Sequence, residues 1–199
     1  MEKITGSAMH AQRGVTLVEV LVTLVILAVG LLGLVALQAR VQVLQAESYQ
    51  RAQALMLLKD MAGRITNNRN NAADYVTGAN APLGTGTNNC ANLDPDATRA
   101  GADLAQWCVA LQGAGETLGG SNVGAMLGGR GCVENPGPGE FLISVAWQGL
   151  APIPPNPLVD PKEAPACAAG LYGGDSGPCT GDLCRRIVTT VVVIPPLTT

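Results

Sequence analysis

The chain has 199 residues and a formal net charge of −3, from 12 Lys and Arg against 15 Asp and Glu, which leaves no basic footprint for nucleic acid. Hydrophobic residues make up 47% and charged residues 14%, while aromatics are only 3% and Gly and Pro number 25 and 13. Much of the apolar content sits in one N-terminal run, so the remainder has room for one modest, loop-rich domain with a thin core, helped by disulfides or neighbouring subunits.

Residues 1–14, MEKITGSAMHAQRG, are polar and carry Lys3 and Arg13. Residues 15–37 read VTLVEVLVTLVILAVGLLGLVAL, and the only ionisable side chain among them is Glu19. As a helix rising about 1.5 Å per residue, such a run spans the hydrocarbon core of a bilayer. A carboxylate inside it costs on the order of several kcal/mol unless it finds a partner, which makes Glu19 a functional residue by default. The alternative is a plain anchor whose Glu19 snorkels to the headgroups. An ordinary secretory signal fits poorly: its apolar core is shorter, and the sequence after this run, Ala36-Leu37-Gln38-Ala39-Arg40, is a poor small-x-small cleavage site.

From Gln38 to Ile65 there is no proline. Val41, Leu44, Leu55, Leu58, Met61, Ala62 and Ile65 recur at helical spacing and are expected to form one buried face. Continuity with the apolar run predicts one helix from Thr16 to Thr66, about 75 Å long, with residues 38–66 as its amphipathic half. Gly30 and Gly33 weaken the apolar half; they suit close helix packing or local extension.

After Thr66 the chain turns polar and rich in Asn and Gly, as loops are. Leu104, Trp107, Cys108 and Leu111 fall at i, i+3, i+4 and i+7, predicting a short amphipathic helix with Trp107 in the core. The glycine-laden stretch that follows lacks the GK[ST] ending of a phosphate-binding loop. Phe141–Trp147 and Arg185–Ile194 read as strands, Cys132–Glu134 as the start of a third, and Pro136–Gly139 as a turn. The proline-rich segment between the two clear strands is too long to stand unsupported. The fold class is α+β, with a long N-terminal helix across a small antiparallel sheet.

All six cysteines, Cys90, Cys108, Cys132, Cys167, Cys179 and Cys184, follow the apolar run. An even number on one side of a membrane helix reads as disulfides in an oxidising compartment, with 15 possible pairings and at least one bridge expected to close locally among the last three. Zinc is the weaker reading, because there is no CxxC pair and the only histidine, His10, precedes the helix. No metal and no cofactor are expected. Calcium at Asp94, Asp96 or Asp175 lacks the spacing of a dedicated loop, and Asp94-Pro95-Asp96 is a turn signature first. With no histidine after the helix, a His-based triad or general base is unavailable there, and no enzyme is expected. Lys3 and Arg13 orient the leader to the cytoplasm and residues 67–199 to the periplasm or exterior.

The string Gly14-Val15-Thr16-Leu17-Val18-Glu19-Val20-Leu21-Val22 resembles the class III signal of type IV prepilins and pseudopilins. The resemblance implies a type IV pilin fold, a prepilin peptidase that cuts after Gly14, and N-methylation of the new first residue, Val15. Valine stands where the family usually has phenylalanine. Glu19 then becomes the fifth residue of the mature chain, in reach of a neighbouring subunit's N-terminal amine; an ion pair in low dielectric sets axial register between helices. Together with the late segments Ile143–Gly149 (ISVAWQG) and Cys184–Val193 (CRRIVTTVVV), the start is similar to the PilV-type minor pilins. That implies a low-copy subunit that works with other minor pilins, the major pilin and the inner-membrane assembly platform in pilus biogenesis, motility and cell adhesion. A minor pseudopilin of type II secretion shares the same start, and a pilus-borne adhesin is the other alternative.

Overall fold

The computed structural model describes residues 14–86, 88–114, 117–119, 121–122, 126–154, 165–174 and 176–195. The leader residues before Gly14, Asp175 and most of the proline-rich segment lie outside this set. The chain divides into two compact units at Leu44 and Gln45.

One α-helix, α1, runs from Leu17 to Asn67, 51 residues. Proline is absent throughout it, and Thr16 opens it by accepting a hydrogen bond on its Oγ1 from the Glu19 backbone N–H at 3.3 Å. Residues 14–45 are all exposed. Further along, α1 buries Gln50, Ala54, Leu58, Met61 and Ile65, a stripe stepping four, four, three and four residues.

This corrects the expected face. Leu58, Met61 and Ile65 belong to it, but Leu55, Val41 and Leu44 are exposed, and Gln50 and Ala54 take the places that hydrophobicity alone gave to others. A glutamine is tolerated there because its side-chain oxygen accepts from the Leu127 N–H at 3.1 Å.

The second unit completes itself with α2 (Arg99–Leu111) and a sheet. The short strand β1 is Leu83–Gly84, and β2 (Thr117–Leu118) pairs with β3 (Ser121–Asn122) in a separate two-residue ribbon. The long strands are β4 (Arg130–Gly137), β5 (Glu140–Gln148) and β6 (Arg185–Val193). The main sheet is antiparallel in the order β1-β4-β5-β6. β6 pairs with β5 along its full length, from Gln148↔Arg185 to Glu140↔Val193. The expected third strand is longer than its apolar signal, running through Glu134 to Gly137, because β5 beside it supplies the pairing whatever the local composition. β1 was not legible: two residues carry no period.

α2 begins earlier than the amphipathic pattern. Thr98 caps it, its Oγ1 accepting from the Gly101 N–H at 3.0 Å. Leu104, Trp107, Cys108 and Leu111 are all buried, and Trp107 donates its Nε1–H to the Leu57 carbonyl at 3.0 Å. Its indole lies so close to the β4 backbone that a Cβ on Gly131 would strike the ring. The inward sheet residues Val133, Phe141, Ile143, Val145 and Trp147 close this core against Ala54, Leu58, Met61 and Ile65. A smaller cluster on Cys132, Ala146, Cys167, Ala168 and Tyr172 forms apart from it.

The six cysteines pair as Cys90–Cys108, Cys132–Cys167 and Cys179–Cys184, closing 18, 35 and 5 residues. The bridges tie the loop before α2 to α2, the cysteine-rich loop to β4, and that loop to itself. Asp182 reinforces the last: its carboxylate accepts from the N–H groups of Gly170 (2.9 Å) and Tyr172 (3.0 Å) and pairs with Arg185 Nε at 3.1 Å. Arg185 in turn donates to the carbonyls of Pro165 and Cys167.

Candidate functional site

Gly14, Val15 and Thr16 precede the first turn of α1, and Glu19 lies within that turn. Nothing within 4 Å would meet a Cβ on Gly14, and its backbone is not in the left-handed region. Neither packing nor backbone geometry demands a glycine there. Val15 and Leu17 are 70% and 80% exposed. The Glu19 carboxylate is exposed and makes no hydrogen bond or ion pair with any described residue. Thr23, the other polar residue nearby, is satisfied by donating to the Val20 carbonyl at 2.8 Å. The segment therefore offers one charged group without a partner, on an otherwise apolar cylinder. Gly30 and Gly33 likewise have open space where a side chain would stand, which permits close approach by another helix.

Of the polar residues elsewhere, Asp94, Asp103 and Tyr75 are engaged in structure. Asp94 accepts the Asp96 N–H at 2.9 Å, the self-bonded turn its sequence suggests. Asp175, the third calcium candidate, is outside the described residues, among which no group of three or more His, Cys, Asp or Glu is placed to hold a metal.

Asp103 on α2 receives Arg64 Nη1 at 2.8 Å and the Tyr75 hydroxyl at 2.5 Å. Burial works to lower the Arg64 pKa, but hydrogen bonds to Asp60 and Asp103 outweigh it and hold it above the ordinary value. Burial, then the bond to Asp103, pushes the Tyr75 hydroxyl up. Burial also pushes up the Glu134 carboxyl, one of whose oxygens is covered and has no hydrogen-bond partner. Of these contacts only the Asp60–Arg64 pair, four apart on one helix, had a signal in the sequence.

The first of the comparisons with known proteins falls on the same segment. A family model for the prokaryotic N-terminal methylation motif matches residues 9–35. A second, describing the type IV pilin Tt1218, matches residues 36–114, from within α1 to just past α2. Neither a curated protein nor a solved structure matches the chain. With its long apolar helix, four-stranded antiparallel sheet and three disulfides, the chain has the α+β architecture of a pilin. It is a type IV pilin-like protein bearing a prepilin methylation motif. That family is structural rather than enzymatic, and its members are processed by a peptidase and assemble with other pilins. α1 is long and apolar enough to cross a membrane, as an anchor that precedes a pilus requires.

Proposed function

We propose that this chain is a minor pilin of the PilV type. Prepilin peptidase cuts after Gly14 on the cytoplasmic face and methylates the amine of Val15. Until assembly, the chain crosses the inner membrane once, with the disulfide-bearing unit in the periplasm. It then joins other minor pilins and the major pilin through the inner-membrane platform, priming or modifying the fibre that supports motility and adhesion. It performs no catalysis.

The observation that carries this reading is the unpartnered Glu19 carboxylate in a helix whose residues from Leu17 to Leu44 are all exposed. Cleavage at Gly14 creates an α-amino cation at the start of the same helix in every subunit, and a neighbour's amine neutralises Glu19. In low dielectric that pair fixes the stagger of adjacent helices more tightly than it could in water.

Aromatic placement favours assembly over an adhesin role. Tyr75, Trp107, Phe141, Trp147 and Tyr172 are buried, and the one exposed aromatic, Tyr49, lies on α1. The described loops thus present no aromatic patch for a ligand. The test is the mass and N-terminal sequence of the protein from membranes or fibres. The expected chain begins at N-methylated Val15; one retaining Met1 overturns the proposal.

A further inference from the structure

The two late segments that carry resemblance to minor pilins converge at a place that Glu19 does not explain. Trp147 and Gly149 end the first segment and Arg186 opens the second; cross-strand pairing sets Trp147 opposite Arg186. Glu47 and Arg51, one turn apart on α1, face the same spot. Between them is a cleft of about 430 Å³ lined by Glu47, Arg51, Trp147 and Arg186 with Ile153 and Val188. All of these residues lie in the second compact unit.

The Arg186 guanidinium is fixed in place. It donates to the Ala151 carbonyl at 2.7 Å and the Leu183 carbonyl at 3.4 Å, and its side chain is 14% exposed. Gly149 makes room for it: a Cβ there would come within 2.6 Å of the guanidinium carbon. Glu47 pairs with it at 3.4 Å through a carboxylate oxygen that also accepts from the Leu150 N–H at 2.7 Å. Arg51 is exposed and forms no ion pair with any described residue. Trp147, 3% exposed, adds an Nε1–H without an acceptor. Two guanidinium groups thus face one carboxylate already engaged, beside an apolar lining. The surplus is a single positive charge, and Glu47 disfavours a doubly charged phosphate. A lone carboxylate on an aliphatic stem matches both charge and lining.

We infer that this cleft receives an aspartate or glutamate side chain of a neighbouring pilin-like subunit, held between Arg51 and Arg186. The inference rests on the assembly reading and gives it a second contact, made by the folded unit rather than the membrane segment. Charge-assisted pairing of this kind sets which neighbour fits and in which register.

The test uses the full chain in detergent micelles with 15N-labelled indoles, since the two tryptophans give two signals. Propionate, a carboxylate on a short stem, is titrated against chloride at matched ionic strength, with inorganic phosphate in parallel. Propionate is expected to displace the Trp147 signal saturably in the millimolar range while Trp107, bonded to Leu57, stays in place. Arg51→Gln is expected to weaken the effect about fivefold. No saturable displacement, or an equal one with chloride, overturns the site. Phosphate saturating below propionate overturns the acidic side chain in favour of a headgroup.

Incorporation into fibres is read separately, and Arg51→Gln is expected to lower it about tenfold. Full incorporation of that variant overturns the neighbouring-subunit assignment even where the titration succeeds. If the unsubstituted chain itself stays out of fibres, the minor-pilin reading fails, while the titration still decides whether the carboxylate site exists.

Discussion

The two parts of α1 are the same secondary structure put to opposite uses. From Leu17 to Leu44 the helix exposes valine, leucine and isoleucine all round its circumference; from Gln50 to Ile65 it buries a narrow stripe and leaves the rest to solvent. An all-round apolar helix is stable only in lipid or against other helices, whereas a striped one is stabilised by its own domain. One continuous backbone therefore reports to two surroundings, and a substitution should be felt in only one of them. Nothing local to helix formation separates the parts: both lack proline, and the glycines at 30, 33 and 63 have open space around them. The difference lies entirely in which side chains find partners within the chain.

The sharpest way to break this comparison is Glu19→Val. The variant is expected to be processed and to fold normally, with its disulfides formed, yet to enter fibres at a level lower by two orders of magnitude or more. That corresponds to losing about 3 kcal/mol of pairing, a reasonable figure for one partner of a desolvated ion pair. Quantitative blotting of sheared fibres against membranes is the measurement; equal incorporation would remove Glu19 from assembly.

Next in size come the bridges. In the chain-entropy picture a closed loop of 35 residues contributes about 4 kcal/mol, one of 18 about 3 and one of 5 about 2. Replacing Cys132 and Cys167 by alanine should accordingly lower the midpoint of chemical unfolding most, and replacing Cys179 and Cys184 least. The reverse order would show that the short bridge, with Asp182 and Arg185 around it, organises the whole loop. None of these changes should affect the apolar part of α1.

The comparison is sharpened by paired truncations on the two parts. Ile65→Ala removes a fully buried side chain and should cost about 2–4 kcal/mol of unfolding free energy. Leu32→Ala, on a residue 70% exposed, should leave that unfolding transition unchanged within about 0.5 kcal/mol. A matching loss in both variants would mean that the two parts unfold as one body.

The smallest expected effect is a pH dependence at Glu134. Burial raises its folded-state pKa above the unfolded value, so folding favours the protonated form. The stability this provides is fully present below the unfolded pKa and is lost as pH rises through the folded pKa. Glu134→Gln should therefore raise the melting temperature slightly near pH ~7 and leave it unchanged near pH ~3, where the carboxyl is neutral in both states. A gain that persists in acid would assign the effect to something other than charge.

The sequence by itself determined the elements whose signal is local or compositional. Val15 to Leu37 could only be an all-round apolar helix. Leu104, Trp107, Cys108 and Leu111 shared a face, and Phe141–Trp147 with Arg185–Ile194 were strands because β-branched and aromatic residues crowd there. The short string from Gly14 to Glu19 was legible as well, and it lies within the residues that the methylation-motif model matches. Only the tertiary structure decided which cysteine meets which, because pairing depends on where β4 and the 165–184 loop come to rest.

It also decided that Gln50 lies inside and Leu55 outside: a hydrogen bond from Leu127 satisfies the amide, and the helix rotation that buries Met61 turns Leu55 away. The cleft at Arg186 belongs to the same class. Glu47 lies 103 positions from Leu150 and 139 from Arg186, the two residues that donate to it, and no periodicity records a contact between segments so far apart in the chain.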